Sequence, residues 1–401
     1  MSPIEPTTNF RDSNGVDLGT KLITKDYLIS VYPSIGQQIG IPPELWTWGQ
    51  GSSGQLGTND TINSNTPVTT SAGGTNWKQA SFVLQSAAIK TDGTLWTWGL
   101  GTSGQLGDNT TTSKLTPVTT FSGGTNWKQV DCGDAHTAAI KTDGTLWTWG
   151  SPAAGRLGIN VTVTNRVTPV TTFAGGNNWK QVSCGSQHTA AIKTDGTLWT
   201  WGNGGNGRLG NNDTNNAIIP VTTFTGGTNW KQVTAGVDHT AAIKTDGTLW
   251  TWGLGTNGRL GNGGITSSTP VTTFAGGTNW KQVSCGQFHT AAIKTDGTLW
   301  TWGLGTSGQL GTNAGTEVNT PVTTFAGGTN WKQVACGFVH TAAIKTDGTL
   351  WTWGGATSGR LGNAITTGFR STPVTTFAGG TNWKQVQCGS TCTGAIKSVD
   401  F

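Results

Sequence analysis

The phrase HTAAIKTDGTLWTWG occurs five times without change, beginning at His136, His188, His239, His289 and His340. A repeat of this fidelity constrains a 401-residue chain more than any other property, because successive segments must be structurally equivalent. The first Trp of each WTW falls at 46, 96, 147, 199, 250, 300 and 351, and the Trp of each NWKQ at 77, 127, 179, 230, 280, 331 and 383. These seven copies, 50 to 52 residues apart, use all 21 tryptophans.

Each period holds four short extended segments, PVTTF, WKQVSC, HTAAIK and TLWTW, separated by AGGTN, GSQ and TDG. Thr-Asp-Gly between two extended runs is tight-hairpin chemistry. No helical period interrupts residues 45–397. Four antiparallel strands per repeat and seven repeats predict an all-β chain, a seven-bladed β-propeller of four-stranded antiparallel blades. Alternation puts both Trp of LWTW on one strand face, where they fill the space between blades. The widening wedge predicts Trp near the rim and the small residues of SCG and TAAI near the axis. The first copy begins late, at ELWTWG, and the last stops early, at GAIKSVDF. Pairing of Leu45, Trp46 and Trp48 with Ala395 and Ile396 is therefore expected to close the ring within one blade and remove two sheet edges. The chain divides into an N-terminal arm, 1–43, and the propeller, 44–401.

VSCGQFHTAAI (283–293), followed by GTLWTWG and then GQLG (308–311), resembles the repeat of the regulator of chromosome condensation family. The resemblance covers residues 45–397 and implies a seven-bladed propeller closed by strands from both ends. In that family, nucleotide exchange on the small GTPase Ran uses a wedge-like insertion in one blade, and chromatin contacts use a basic N-terminal tail. Here the repeats differ by no more than two residues, and the segment through Glu44 carries three basic and five acidic side chains. Both features are missing, so that activity is not expected.

No residue pattern points to catalysis, a cofactor or a metal. The five His fill one slot of successive repeats, with Gln85 and Cys392 in the other two. Equivalent residues of different blades converge only on the axis, whereas a metal needs several ligands around one point. Each His is expected to tie its own turn together through backbone hydrogen bonds. The Asp of each KTDG reads as a turn former beside a Lys that it partly offsets. GLGTSGQLG recurs in every blade and opens no helix, so it is no phosphate cradle. Cys132, Cys184, Cys285, Cys336 and Cys388 share a slot that also accepts Phe82 and Ala235, which marks it as a packing position. Only Cys388 and Cys392 are close enough in sequence for a local bridge. A net charge of +5 without any run of Lys or Arg shows no duplex-binding stripe. The fourteen lysines of NWKQ and AIK, spread evenly round a disc, could form basic bands toward an acidic surface but read more simply as solvated strand ends. Nucleic acid is therefore not an expected partner. No apolar stretch reaches the roughly 18 residues of a membrane helix, and no membrane insertion is expected.

The copies differ mainly in two places. One is the loop after each LG. The other is the dipeptide before the His slot, which supplies the candidate contact residues Asp134, Gln187, Asp238, Gln287, Phe288, Phe338 and Val339. Phe288 and Phe338, apolar in surface turns, are the sharpest of these. The arm is different text: it holds both tyrosines and no Trp, and it is too short to bury a core. Arg11, Asp12, Asp17, Lys25, Asp26, Tyr27 and Tyr32 surround its apolar ridge and suit an anchor.

Arm and repeats together resemble virion proteins of tailed bacteriophages, especially those of cyanobacteria. That resemblance implies a structural component of the particle, on head or tail. The arm would hold other virion proteins, and the propeller loops would meet a neighbour or a host-surface protein or glycan. A bacterial protein- or glycan-binding propeller, and more distantly a GTPase regulator, remain open as alternatives.

Overall fold

Every repeat folds into the same four-stranded antiparallel sheet, and seven such sheets build the unit Pro43–Ser398. The computed structural model describes residues 42–71 and 74–398. The arm positions Arg11, Asp12, Asp17, Lys25, Asp26, Tyr27 and Tyr32 lie outside the described residues. In blade 2 the strands Trp127–Cys132, His136–Lys141, Leu146–Gly150 and Arg166–Thr171 succeed one another from the axis to the rim. Blade 1 starts at Trp77, and blades 3 to 6 at Trp179, Trp230, Trp280 and Trp331.

Blade 7 is assembled from both ends of the unit. Glu44–Gly49 lies between Cys392–Lys397 and Ser64–Thr69, with Leu45 opposite Ile396, Trp46 opposite Ala395 and Trp48 opposite Thr393. The expected ring closure is therefore present, and it provides the third strand of an otherwise incomplete sheet.

The repeated phrase makes sense as a strand buried on both faces. Seven apolar clusters occupy the blade-to-blade junctions. At one of them Ala138, Ile140 and Leu146 of blade 2 meet Trp179, Val182, Cys184, Ala191 and Trp201 of blade 3. Ala138 and Ile140 thus face forward, and Ala139 faces back toward blade 1. Truncating one such buried Trp or Ile costs about 2–5 kcal/mol.

The radial order departs from expectation at one Trp in three. The small residues and the LWTW strand lie where the wedge requires, but the Trp of NWKQ begins the innermost strand. There Trp179 meets the edges of Trp199 and Trp201 with ring centroids 6.3 and 6.2 Å away. The three indoles of a blade thus form one block rather than a rim.

The Lys ending each second strand was expected to be offset by its hairpin Asp. Lys193 does help hold the Asp195 carboxyl low, and its Nζ also stands 4.8 Å from the Trp179 ring centroid and 4.6 Å from that of Trp199. The hairpin Asp serves its turn, as Asp195 Oδ1 accepts from Thr197 N and Thr197 Oγ1 at 2.9 and 2.7 Å.

PVTTF also divides differently. The outer strands end at the first Thr, and the Phe beyond is solvent-facing: Phe121, Phe173, Phe224, Phe274, Phe325 and Phe377 are 61–73% exposed. None of them enters a junction cluster.

Candidate interaction surface

Strand direction alternates within a blade, so its connections segregate by face. The Thr-Asp-Gly hairpins gather on one side, the hairpin face. The turns between innermost and second strands gather on the other, the turn face. An axial channel of about 200 Å³ runs inside the ring of innermost strands. Its wall is polar, with Gln79, Gln129, Gln181, Gln232 and Gln282 among its lining and Asp131 as a carboxylate within it.

Each wall Gln acts as a peptide mimic between blades. Gln129 Nε2 donates to Val182 O at 2.9 Å while Val182 N donates to Gln129 Oε1 at 3.0 Å. The same two-bond clamp recurs at the other junctions from Gln79 to Gln333, and at the closing junction its single bond from Ala80 N to Gln385 Oε1 measures 3.1 Å. The innermost strands expose unpaired edges toward the axis, and these amides satisfy them without sheet pairing.

The histidines do not tie their own turns, as expected from the sequence, but bind the next blade. His136 Nε2 lies 2.9 Å from Thr189 Oγ1, which donates to Arg156 O at 2.9 Å. Thr189 has spent its proton on that carbonyl, so His136 Nε2 is the donor and the ring carries its proton there. Arg156 O also accepts from Trp201 Nε1 at 3.0 Å. His188, His239, His289 and His340 repeat the arrangement with Thr240, Thr290, Thr341 and Thr393. The two exceptions keep the function: Gln85 Nε2 donates to Gly133 O, and Cys392 Sγ to Val83 O, each in the following blade. Only glycine fits beneath the imidazole, since a Cβ at Gly133 would lie 2.2 Å from His136 Cε1.

Burial explains the electrostatics of this layer. It holds His188 and His289 down to about 3, and His136, His239 and His340 well below the ordinary histidine value. Asp131 goes the other way, pushed up to about 6 by burial despite hydrogen bonds from Cys184 N and Ser81 Oγ at 2.7 and 2.8 Å. The cysteines are free thiols, and burial pushes Cys336 and Cys392 up to about 12. Native protein at pH 8 is accordingly expected to react with iodoacetamide at least about tenfold more slowly than unfolded protein, read by mass spectrometry. Rapid labelling of Cys336 in the folded state would contradict this packing. Among the described residues no three His, Cys, Asp or Glu side chains could jointly hold a metal ion.

All seven sequence-predicted contact residues lie in turn-face turns, and the structure sorts them into two rings. Asp134, Gln287 and Phe338 line the channel mouth, beside Val83, Ser186, Val237 and Ser390. Gln187, Asp238, Phe288 and Val339 stand one residue further out. Asp134 accepts from Ser186 Oγ, and Gln187 Oε1 accepts from Asn203 Nδ2 at 2.8 Å. Phe288 and Phe338 are half-buried rather than prominent.

Phe288 is instead held under the Arg259 guanidinium, 5.3 Å from its ring centroid. Asp238 pairs with Arg208 at 2.8 Å and Arg259 at 3.8 Å. Asp238, Arg259 and Phe288 therefore form one linked patch across blades 4 and 5.

The arginines were overlooked in the sequence. Arg156, Arg208, Arg259 and Arg360 are only 2–8% exposed and donate Nη1 to the first turn residue of the next blade, as Arg208 does to Val237 O at 3.1 Å. The available signal was the alternation of GRLG with GQLG, which varies where the framework does not.

Residues 44–398 match the RCC1-like domain. The ultraviolet-B receptor UVR8 of Arabidopsis thaliana is 32% identical over 237 residues, which is 58% of this chain and 54% of that protein. Human E3 ubiquitin-protein ligase HERC2 is 28% identical over 275 residues, 68% of this chain but 5% of that protein. The chain thus spans about half of the first relative and a small part of the second. Human WBSCR16 shares the fold with a TM-score of 0.79 at 21% identity, covering 90% of this chain and 100% of that one. Prp20p of Saccharomyces cerevisiae, described with its binding to Gsp1p and histones, has a TM-score of 0.78 at 18% identity, covering 90% and 92%.

Proposed function

Because the chain belongs to the RCC1-like domain family, we propose that it is a non-enzymatic protein-interaction module whose contact surface is the turn face around the axial mouth. One observation carries this reading. The repeat varies little along its strands, yet the residues before the His slot differ in every blade and gather at one rigidly held mouth. The patch of Asp238, Arg259 and Phe288 supplies aromatic and charged groups already fixed in place, which lowers the ordering cost of binding. The binding of Gsp1p and histones described for Prp20p is a precedent for protein partners on this fold.

The finer proposal is that the protein is a structural component of a bacteriophage particle, assembled in the host cytoplasm, with the arm of residues 1–43 as its anchor. Support comes from the resemblance of the arm-plus-repeat sequence to virion proteins and from a low-charge composition of 11% charged residues. Among the described residues no helix is long and apolar enough to cross a membrane. A bacterial propeller binding protein or glycan is the alternative, and a GTPase regulator the more distant one. Quantitative mass spectrometry of gradient-purified particles against soluble host lysate tests the placement. Stoichiometric recovery in particles is expected. Recovery only in the soluble fraction would exclude the virion role and leave the interaction surface to be matched to a host partner.

A further inference from the structure

The hairpin face has a charge character that an even spread of lysines along the sequence conceals. Among residues 42–398 this face collects fourteen lysines, from every WKQ and every second-strand end, against six hairpin aspartates and Glu44, a net of +7. All the remaining charges, in the turn face, rim and channel, are seven basic and seven acidic and cancel. The propeller's whole excess charge thus stands on one side.

Seven of those lysines form a built ring. In every innermost strand the register slips after the Trp, pairing Trp127 with Lys141 and Gln129 with Ile140, so that Lys128 occupies a β-bulge. The same slip places Lys78, Lys180, Lys231, Lys281, Lys332 and Lys384. A bulge releases its extra residue from the ladder and re-aims the side chain. All seven are exposed, each directly before the Gln of an innermost strand, five of which line the channel, and none makes an ion pair among the described residues. Further from the axis come the second-strand lysines, stacked on Trp, and then the hairpin aspartates.

We propose that the centre of the lysine ring on the hairpin face binds a compact polyphosphate, several phosphate groups within the width of that ring. Like charges arranged around one axis sum their fields on it, so an anion there is attracted by the ring as a whole. The outer circle of Asp92, Asp143, Asp195, Asp246, Asp296 and Asp347 decides the size of the ligand. An extended polyanion, such as duplex DNA or an anionic bilayer, would overlie these carboxylates and be repelled, whereas a compact one stays inside them. This site lies opposite the turn face and is independent of the function proposed for it.

Isothermal titration calorimetry of the full chain with inositol hexakisphosphate as probe tests the assignment. Saturable binding is expected, weakened at least about tenfold in K180E/K231E/K281E and also reduced in K180Q/K231Q/K281Q. These exposed positions leave the thermal unfolding midpoint in place, which is checked in parallel. D195N/D246N/D296N, which thins the outer ring, is expected to admit duplex DNA better without weakening the probe. No binding by the wild-type chain, equal binding by the lysine variants, or preference of the wild type for duplex DNA at equal phosphate concentration would each overturn the proposal.

Discussion

Removal of residues 1–49 is expected to unfold the propeller, although it takes away only one of the four strands of blade 7. Trp48 is fully buried against Ala342, Ile344 and Trp383, and its Nε1 donates to Arg360 O at 2.9 Å. Leu45 is buried on the opposite face of the strand, against Trp77 and Phe82 of blade 1. Losing these two side chains alone costs roughly 5–10 kcal/mol by the usual range for large core truncations. That is comparable to the roughly 5–15 kcal/mol that holds a typical domain folded. The deletion would also expose the Cys392–Lys397 edge and leave Ser64–Thr69 without a partner. The single substitution Trp48→Ala is the graded form of the test, expected to lower the denaturant midpoint by the equivalent of about 3–5 kcal/mol. Phe224→Ala, at the exposed rim, is expected to change it by less than about 0.5 kcal/mol. Equal effects of the two substitutions would refute ring closure as the dominant constraint.

Acid is expected to unfold the protein in a window set by its histidines. In the unfolded chain each His takes up a proton near pH 6.5. In the folded chain His188 and His289 resist until about pH 3, because the charged ring would be buried. The unfolded state therefore binds more protons between these values, and stability falls as pH drops through the window. Between pH 6.5 and 5 this amounts to roughly 2 kcal/mol for each histidine. His136, His239 and His340 add losses in the same direction.

Asp131 opposes them weakly. Its folded value of about 6 lies above the unfolded carboxyl, so it costs stability at neutral pH and that cost is relieved as pH falls through 6. Guanidinium unfolding at pH 7.5, 6 and 5 should show a midpoint that drops steadily. Asp131→Asn should raise the midpoint at pH 7.5 and leave it nearly unchanged at pH 4. A midpoint flat from pH 7.5 to 5 would contradict burial of the imidazoles as neutral groups.

The blades were legible because three independent signals share one period: alternation, Thr-Asp-Gly turns, and tryptophans placed to fill a wedge. Ring closure was legible too, since ELWTWG and GAIKSVDF are complementary fragments of one blade. The destination of the histidines was not. Donor and acceptor belong to the same phrase, HTAAIK, and a sequence that repeats it cannot reveal that His136 reaches the Thr of the following copy. The exposed phenylalanines were hidden by joining them to PVT, where alternation stops one residue too soon to predict their environment. The polarity of the two faces was hidden for a third reason. Lysines evenly spaced along the chain become one-sided only when antiparallel strands fold their alternate ends together.

The variable turn residues stand out in the sequence as candidate contact positions, but their arrangement in space does not. Variation among copies singled out Asp238 and Phe288 separately. Their linkage through Arg259 depends on a loop from blade 4 reaching the turn of blade 5.

The most direct test of the interaction surface compares partner recovery by the wild-type protein and by the F288S/F338S variant, each cross-linked and purified from the producing host after infection or expression. Neither ring anchors a junction cluster, so both proteins are expected to unfold at the same temperature. The variant is predicted to lose at least about tenfold of the partner recovered by the wild type, as removal of central aromatic contacts does. Equal recovery of the same partner by both proteins would contradict the turn face as the surface through which this propeller acts.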